Sequence, residues 1–386
     1  MQFGYTEDQQ MVRETVRQFA ETELLPGATA RDKSKEFPWD AWNKWRELGF
    51  TGMTIPEQYG GQPLDDISES IVIEELSRCD ASFAVCMAVH AGLTGKTIVN
   101  WGSEEQKQKY LPKMASGEWI ACYSLSEAGS GSDAASLKCR ADKQGDKYII
   151  NGTKLWVTNG KIADLVVLFA RTDQSAKPAK GISCFLVEKN TPGITVSKTE
   201  DKLGIRASDT AEMVYENVEV PAENLMGKEN EGVKIAFNAL DVSRIGIAAQ
   251  ALGIAQGAYE CALKYANERE QFGQKILGFQ AIGNYLAEMR TRIEASRLLV
   301  YKAAWMKEQG MKHTMESAMA KMYASETAVW VAERAVQILG GYGYTTDFPA
   351  ERFFRDSKIT TIYEGTNEIQ RLVIARNLLA EIGIEG

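Results

Sequence analysis

The stretch KYIINGTKLWVTNG, residues 147–160, decides how the chain is read. Two strand-like runs, KYII and KLWV, flank the pair Asn151-Gly152. An Asn-Gly pair between such runs is the strongest short hairpin signal, because both residues tolerate the positive φ of a type I′ turn. The spacing therefore predicts a hairpin turning at residues 151 and 152. Downstream, ADLVVLFART (163–172) and GISCFLVEK (181–189) are dense in β-branched and apolar residues and are bounded by turn residues. GITVSKTEDKLGIRASDTAEMVYENVEVP (193–221) continues in that manner. Residues 120–229 read as an all-β domain.

On either side the texture is helical. Near the start, Thr6 and Gln9 fit a capping box. Val12, Val16, Phe19 and Ala20 then share one helical face up to Leu24, and Pro26 is expected to stop the run. DISESIVIEELSRC (66–79) and SEEQKQKYLPKMASG (103–117) are helix-like, and the Gly/Pro-rich IPEQYGGQPLD (55–65) is a loop. Beyond GKENEG (227–232), Ile282, Leu286, Met289, Ile293 and Val300 recur at helical spacing. So do Met315, Met319, Met322, Val329 and Val336, which are expected to pack helix on helix. The expected architecture is mainly α with a central β domain. It comprises an N-terminal helical domain over 1–119, a middle β domain over 120–229 and an antiparallel helical bundle over 230–386.

Composition narrows the function. The 386 residues are 44% hydrophobic and 25% charged, enough for a large core. A net charge of −8 argues against a nucleic-acid surface, which needs a basic stripe. No apolar run reads as long enough to span a bilayer, so no membrane insertion is expected. The opening MQFGYTEDQQ lacks the basic and apolar regions of a signal peptide, and no transit peptide is evident. A cytoplasmic protein, or a mature form, is expected. The six cysteines are scattered without a CxxC pair, which suits reduced thiols. With only His90 and His313, a His-rich metal site is excluded and a Ser–His–Asp triad has little material. Acid–base chemistry then falls to carboxylates, Tyr or Lys.

Several short stretches could carry that chemistry. YSLSEAGSGSDAASL (123–137) crowds small residues and the hydroxyls Ser126, Ser130 and Ser132 among glycines, where backbone N–H groups can approach a polar ligand. It does not have the strand–glycine–helix order of a dinucleotide fingerprint. WVTNG places Trp156 and Thr158 at a strand end, and from the segment alone the Trp is expected in the core. NEREQFGQKILGFQ (267–280) gathers Arg269, Phe272 and Gln280 around a glycine turn. In QILGGYGYT (337–345), Gly340 and Gly341 serve either as a helix C-cap or as bare backbone beside a ligand. TTIYEGTNEIQR (360–371) sets one carboxylate, Glu364, between an aromatic ring and a glycine, just before a helix expected to begin near Thr366.

Taken in order, IPEQYGG, SLSEAGSGSD, WVTNG, REQFGQKI, QILGGYGY and IYEGTNEIQR resemble the acyl-CoA dehydrogenase family over essentially the whole chain. LDVSRIGIAAQALGIAQGA (240–258) is most similar to the short-chain, butyryl-type members. The resemblance implies three domains, the middle one β-barrel-like and the last a four-helix bundle. It also implies a homotetramer with one FAD per subunit, an acyl-CoA substrate, and an electron-transfer flavoprotein as acceptor. It places Tyr123, Leu125, Ser126, Gly131, Ser132, Trp156 and Thr158 around the flavin. Arg269, Phe272, Gln280, Gln337, Gly340 and Gly341 fall at its adenosine half, which reaches a neighbouring subunit. Thr366 and Glu368 touch FAD again, and Ser132, Asp241, Arg244, Tyr363 and Gly365 contact substrate.

Glu364 resembles the general base, and its backbone N–H is the expected donor to the thioester oxygen. Relatives that carry the base on another helix do so at a position matching Ser243, which is no carboxylate here. A helix start at Thr366 would lower the Glu364 pKa, whereas a weak carbon acid needs a stronger base. Desolvation by bound substrate and flavin is expected to raise it. An acyl-CoA oxidase, a flavin-linked enoyl-CoA reductase and a nucleic-acid-associated FAD protein remain alternatives at this level.

Overall fold

The computed structural model describes residues 4–384. Residues 1–3 and 385–386, the outermost of the expected first and third domains and including the start of MQFGYTEDQQ, lie outside the described residues. Eight strands form the central sheet: β1 (Ala121–Ser124), β2 (Arg140–Gln144), β3 (Lys147–Thr158), β4 (Leu165–Arg171), β5 (Ile182–Glu188), β6 (Ile194–Thr199), β7 (Thr210–Pro221) and β8 (Leu225–Met226). Their order is β6-β7-β3-β2-β4-β5-β8, with β1 added alongside β4. The two halves join only at the Arg140–Arg171 bridge between β2 and β4. The edge strands β6 and β8 do not pair, so the sheet folds over on itself as an open, barrel-like layer, in keeping with the expected middle domain.

The hairpin expected at Asn151-Gly152 is not a turn. β3 runs unbroken through it, and the pair forms a bulge where the β3–β7 register slips between Ile150 and Gly152. Glycine is needed there for close approach: a Cβ on Gly152 would sit 2.7 Å from the Cys139 Cα. The turn lies earlier, at Gly145-Asp146, where Gln144 pairs with Lys147 and Gly145 has φ 62°. Two tertiary contacts, the β7 partner and the Cys139 backbone, override the local signal.

The burial pattern explains the sequence texture. β4 and β5 are buried almost throughout, so they read as continuous apolar runs. One face packs on Tyr148, Met213 and Tyr215 of the other half-sheet. The other face packs on Tyr110, Leu111 and Met114 of the N-terminal helices.

Those helices are α1 (Glu7–Phe19), α2 (Ala28–Ser34), α3 (Trp39–Glu47), α4 (Asp66–Cys79), α5 (Ala81–Met87), α6 (Lys96–Trp101) and α7 (Glu104–Ala115). The Thr6–Gln9 capping box is formed, with Gln9 N–H donating to Thr6 Oγ1 at 3.2 Å and Thr6 N–H to Gln9 Oε1 at 3.1 Å. After Phe19 the chain rewinds as a π-turn over Ala20–Leu24 and a 3₁₀-turn over Leu25–Gly27. Pro26 therefore sits inside a continuing spiral instead of ending it. A π-helical segment, Ala88–Gly95, joins α5 to α6. The resulting run Ala81–Trp101 has mean hydropathy 1.3 and is long and apolar enough to cross a membrane, contrary to the expectation of no such run. Here 78% of its apolar window is buried inside the protein, as a core helix. His90 lies on this run, fully buried. It accepts from the Ala121 N–H through Nδ1 and reaches the Met114 carbonyl through Nε2, and burial pushes its pKa down to about 4.

The C-terminal helices are α8 (Gly232–Glu268), α9 (Gln280–Glu308), α10 (Thr314–Leu339), α11 (Ala350–Ile359) and α12 (Asn367–Glu381). α10 packs against α8, α9, α11 and α12, and α8 also packs against α4. Glycines let α4 and α8 touch: a Cβ on Gly253 would lie 2.2 Å from the Glu74 carbonyl oxygen, and one on Gly257 2.3 Å from that of Arg78. On α9, Leu286, Met289, Ile293 and Val300 are buried as expected. On α10 the expected Met315–Met319–Met322 stripe is only half-buried. The buried face is instead Ala320, Ala324, Ala328, Val331 and Ala335, small residues that permit close helix approach. All six cysteines are free thiols, five of them buried.

Candidate active site

Glu364 lies on the turn between α11 and α12. It adopts φ 53° and is followed by Gly365 at φ 88°, so two consecutive residues are left-handed. That conformation is strained for a residue with a Cβ and persists only where neighbours fix it. They do so here. Lys321 Nζ on α10 donates to the Gly365 carbonyl at 2.8 Å and to Asn367 Oδ1 at 3.0 Å. Gln370 Nε2 donates to the carbonyls of Gly365, at 2.8 Å, and Glu364, at 3.3 Å. Tyr363 OH donates to Gln250 Oε1 on α8, and Gln250 Nε2 donates to the Ala81 carbonyl at 3.1 Å. Thr366 caps α12 by accepting from the Ile369 N–H at 3.3 Å.

The carboxylate points back toward α8, where Ser243 Oγ donates to Glu364 Oε2 at 2.5 Å. Burial pushes the Glu364 pKa above its ordinary value, against the opposing pull of the Ser243 hydrogen bond and the charges of Arg244 and Lys321. The protein's own walls thus raise the pKa; bound substrate and flavin are not required to begin it. Lys321 is itself buried, and its pKa is pushed down to about 7 by desolvation.

Glu364 and Ser243 open onto one cavity whose roughly 520 Å³ of empty space is continuous with open solvent. Its apolar wall includes Ile73 of α4, Val89 and Leu93 of the π-segment, and Val242 and Ile247 of α8. Four charged residues, Asp66, Glu69, Lys96 and Lys307, line the same cavity.

Arg244 and Asp241 lie on the same stretch of α8 as Ser243. Arg244 is buried and donates to Asp241 Oδ1 at 2.5 Å, while its Nε has no partner among the described residues. Thr314 Oγ1 also donates to Asp241, at 3.3 Å.

A second group forms along β1, β3 and the loop after β1. The Leu155 N–H donates to the Ser126 carbonyl at 2.9 Å, and Lys154 Nζ to the Leu125 carbonyl at 2.8 Å. These bonds set Trp156 beside the glycine loop. Trp156 has φ 62° and is 60% exposed, because a second register slip between Lys154 and Val157 turns it outward. The core position expected from the strand-end pattern is therefore wrong. Gly131 and Ser132 are exposed, Thr158 is half-buried, and Tyr123 and Leu125 are buried. Tyr123 OH has no partner among the described residues; burial raises its pKa, with Cys184 and Glu364 adding to the effect.

The third group is separate. Arg269 and Gly341 line an open cleft with about 870 Å³ of empty space, beside Tyr265 and Tyr342. Gly340, at φ 60°, caps α10 by donating to the Gln337 and Val336 carbonyls, so the C-cap role holds. Phe272, in the turn between β9 (Glu270–Gln271) and β10 (Gln274–Lys275), is 96% exposed and meets Phe279 edge-on at 6.1 Å. Gln280, Gln337 and Glu368 are exposed. None of this group lines the Glu364 cavity.

Sequence reading missed Lys321, Gln370 and the four charged residues of the cavity. A lone charge in the alanine-rich face AMAKMYAS was a usable signal for Lys321, since a buried Lys needs partners.

The chain matches the acyl-CoA dehydrogenase N-terminal domain over residues 6–118, the middle domain over 122–218 and the C-terminal domain over 230–379. It is 49% identical over 376 residues to an acyl-CoA dehydrogenase of Bacillus subtilis, covering 97% of this chain and 98% of that one. Among solved structures, butyryl-CoA dehydrogenase from Megasphaera elsdenii is 42% identical with a TM-score of 0.96, covering 98% of this chain and all of the other. A chain solved in work on the electron transferring flavoprotein of Acidaminococcus fermentans and flavin-based electron bifurcation is 49% identical with a TM-score of 0.96, again over 98% of this chain and 100% of that chain. With three matching domains, a shared fold and a half-buried carboxylate at the turn before α12, the chain belongs to the acyl-CoA dehydrogenase family.

Proposed function

We propose that the chain uses FAD to desaturate a short, straight-chain acyl-CoA thioester to the trans-2-enoyl-CoA, with Glu364 as the base. The reading is carried by one observation: a half-buried carboxylate with a raised pKa faces a partly open, mostly apolar cavity between α4, the π-segment and α8.

The residues present fit FAD. The outward-turned Trp156 and the bare backbone at Gly131, where a Cβ would meet nothing within 4 Å, leave a flat, open face for a ring system. Tyr123, Leu125, Ser126, Ser132 and Thr158 would border it. Arg269 and Gly341 share a cleft suited to the adenosine-diphosphate half, which Gln280, Gln337 and Gly340 would also contact. When bound, FAD supplies the acceptor, N5, for the hydride that leaves the β-carbon.

The remaining work falls to this chain. Glu364 takes the α-proton, and its raised pKa brings it closer to that of the weak carbon acid. The Glu364 N–H makes no hydrogen bond among the described residues and can hold the thioester oxygen as negative charge develops there. Lys321 and Gln370 keep that N–H and the carboxylate in fixed relation by gripping the two carbonyls of the turn. The free Nε of Arg244 and the Asp241 carboxylate offer polar contacts to the substrate. The substrate loses one proton to Glu364 and one hydride to FAD, so the product gains one C=C bond. The likeness to a chain studied with an electron transferring flavoprotein supports such a protein as the electron acceptor. The 96% exposed Phe272 supports a homotetramer in which a neighbouring subunit covers it.

Anaerobic titration of the flavin-loaded protein with butyryl-CoA tests this reading. Bleaching of the flavin band is expected; an unchanged spectrum at saturating thioester overturns it.

A further inference from the structure

The cavity that holds Glu364 also contains four charges the reaction does not use. Asp66 opens α4 and Glu69 follows one turn later; Lys96 opens α6; Lys307 lies in the last turn of α9. Lys96 Nζ reaches Asp66 Oδ1 at 3.0 Å and Glu69 Oε2, and Lys307 Nζ reaches Asp66 Oδ1. Their side chains are only 16–19% exposed. The cluster is balanced, two ammoniums against two carboxylates. Burial alone would raise Asp66, but Lys96 and Lys307 hold its carboxyl below the ordinary value.

Ion pairs that merely joined helices could sit anywhere between them. These face the reaction cavity. Along α4 the lining residues are Asp66, Glu69, Ser70 and Ile73. This i, i+3, i+4, i+7 stripe turns charged at one end and apolar at the other over roughly 10 Å of helix. Each ammonium has three N–H donors, and the bonds above use two on Lys96 and one on Lys307. Three donors are left for water or a polar group. A methyl or methylene pressed against them displaces that water and returns no hydrogen bond, whereas a hydroxyl does return one.

We propose that the Asp66–Glu69–Lys96–Lys307 cluster is the chain-length gauge of the acyl pocket: apolar chains that stop short of it are accepted, and longer ones that reach it are rejected. The gauge rests on the acyl-CoA dehydrogenase reading of the same cavity and names the feature that makes the substrate short. It discriminates by the chemistry of the chain end as well as by length.

The test compares kcat/KM for butyryl-, hexanoyl- and octanoyl-CoA in the flavin-loaded wild type and in the charge-balanced double variant Glu69→Gln/Lys96→Met. Wild type is expected to lose activity steeply as the chain lengthens. The octanoyl-to-butyryl ratio is expected to rise at least tenfold in the variant; a change below threefold overturns the gauge. A second measurement needs no variant. The ω-hydroxy form of the shortest poorly used chain should outperform its methyl-ended counterpart at least fivefold in wild type, and equal or poorer use overturns the proposal. Turnover of all three thioesters with an unaltered profile defeats the gauge alone. Absence of turnover with every thioester defeats the underlying reaction, and the gauge with it.

Discussion

Ser243 and Glu364 lie 121 positions apart in sequence and meet at 2.5 Å, hydroxyl oxygen to carboxylate oxygen. The hydroxyl is the first of the groups that hold the Glu364 pKa down against the effect of burial. Replacing Ser243 by Ala removes a donor that favours the charged form, so the Glu364 pKa should rise further. The acid limb of the kcat/KM–pH profile is then expected to move to higher pH. A limb that stays put or moves down would show that the bond does not act on the base.

Lys321 makes a second, independent pH prediction. Burial pushes its folded pKa down to about 7 from an ordinary value of 10.5, with the Glu364 charge partly opposing. Between these values the unfolded chain holds a proton that the folded chain has released. Stability should therefore rise as pH climbs from 7 toward 10.5, and the penalty for charging the buried amine is present in full below pH 7. Lys321→Met removes this contribution and should flatten the rise in denaturant midpoint across that window. The same variant loosens the grip on the Gly365 carbonyl, so kcat should fall at every pH. An unaltered slope of stability against pH would count against a neutral buried lysine.

Gly152 carries the fold prediction. A side chain there would press on the Cys139 backbone, 2.7 Å away, at the bulge in the β3–β7 pairing. Gly152→Ala is expected to destabilise the protein by about 1–3 kcal/mol, the usual range for overpacking. Thermal unfolding measures it. A neutral effect would mean that Asn151-Gly152 has open space around it, as a surface turn would.

The same position shows where sequence reading succeeds and fails. The alternation of helical and β texture was legible because it rests on many residues, each buried or exposed with its element's own period. Asn151-Gly152 misled because its turn propensity is local, while its bulge is imposed by β7 and Cys139 from elsewhere in the chain. Trp156 misled for the same reason: a register slip, invisible in the segment, turns it outward. On α10, methionines drew attention by hydrophobicity, yet close packing selected the alanines. Glu364 stood out as a lone charge at a helix start. Its partners Ser243, Lys321 and Gln370 lie on three different helices, and a single segment gives no sign that they converge.

The central claim is that the Glu364 carboxylate takes the α-proton. The most direct measurement is the rate of anaerobic flavin bleaching by butyryl-CoA in Glu364→Gln, which keeps the side-chain shape and an acceptor for Ser243. The variant should retain flavin and bind the thioester, with bleaching slower than wild type by far more than tenfold. A rate above one-tenth of the wild-type value would contradict the assignment.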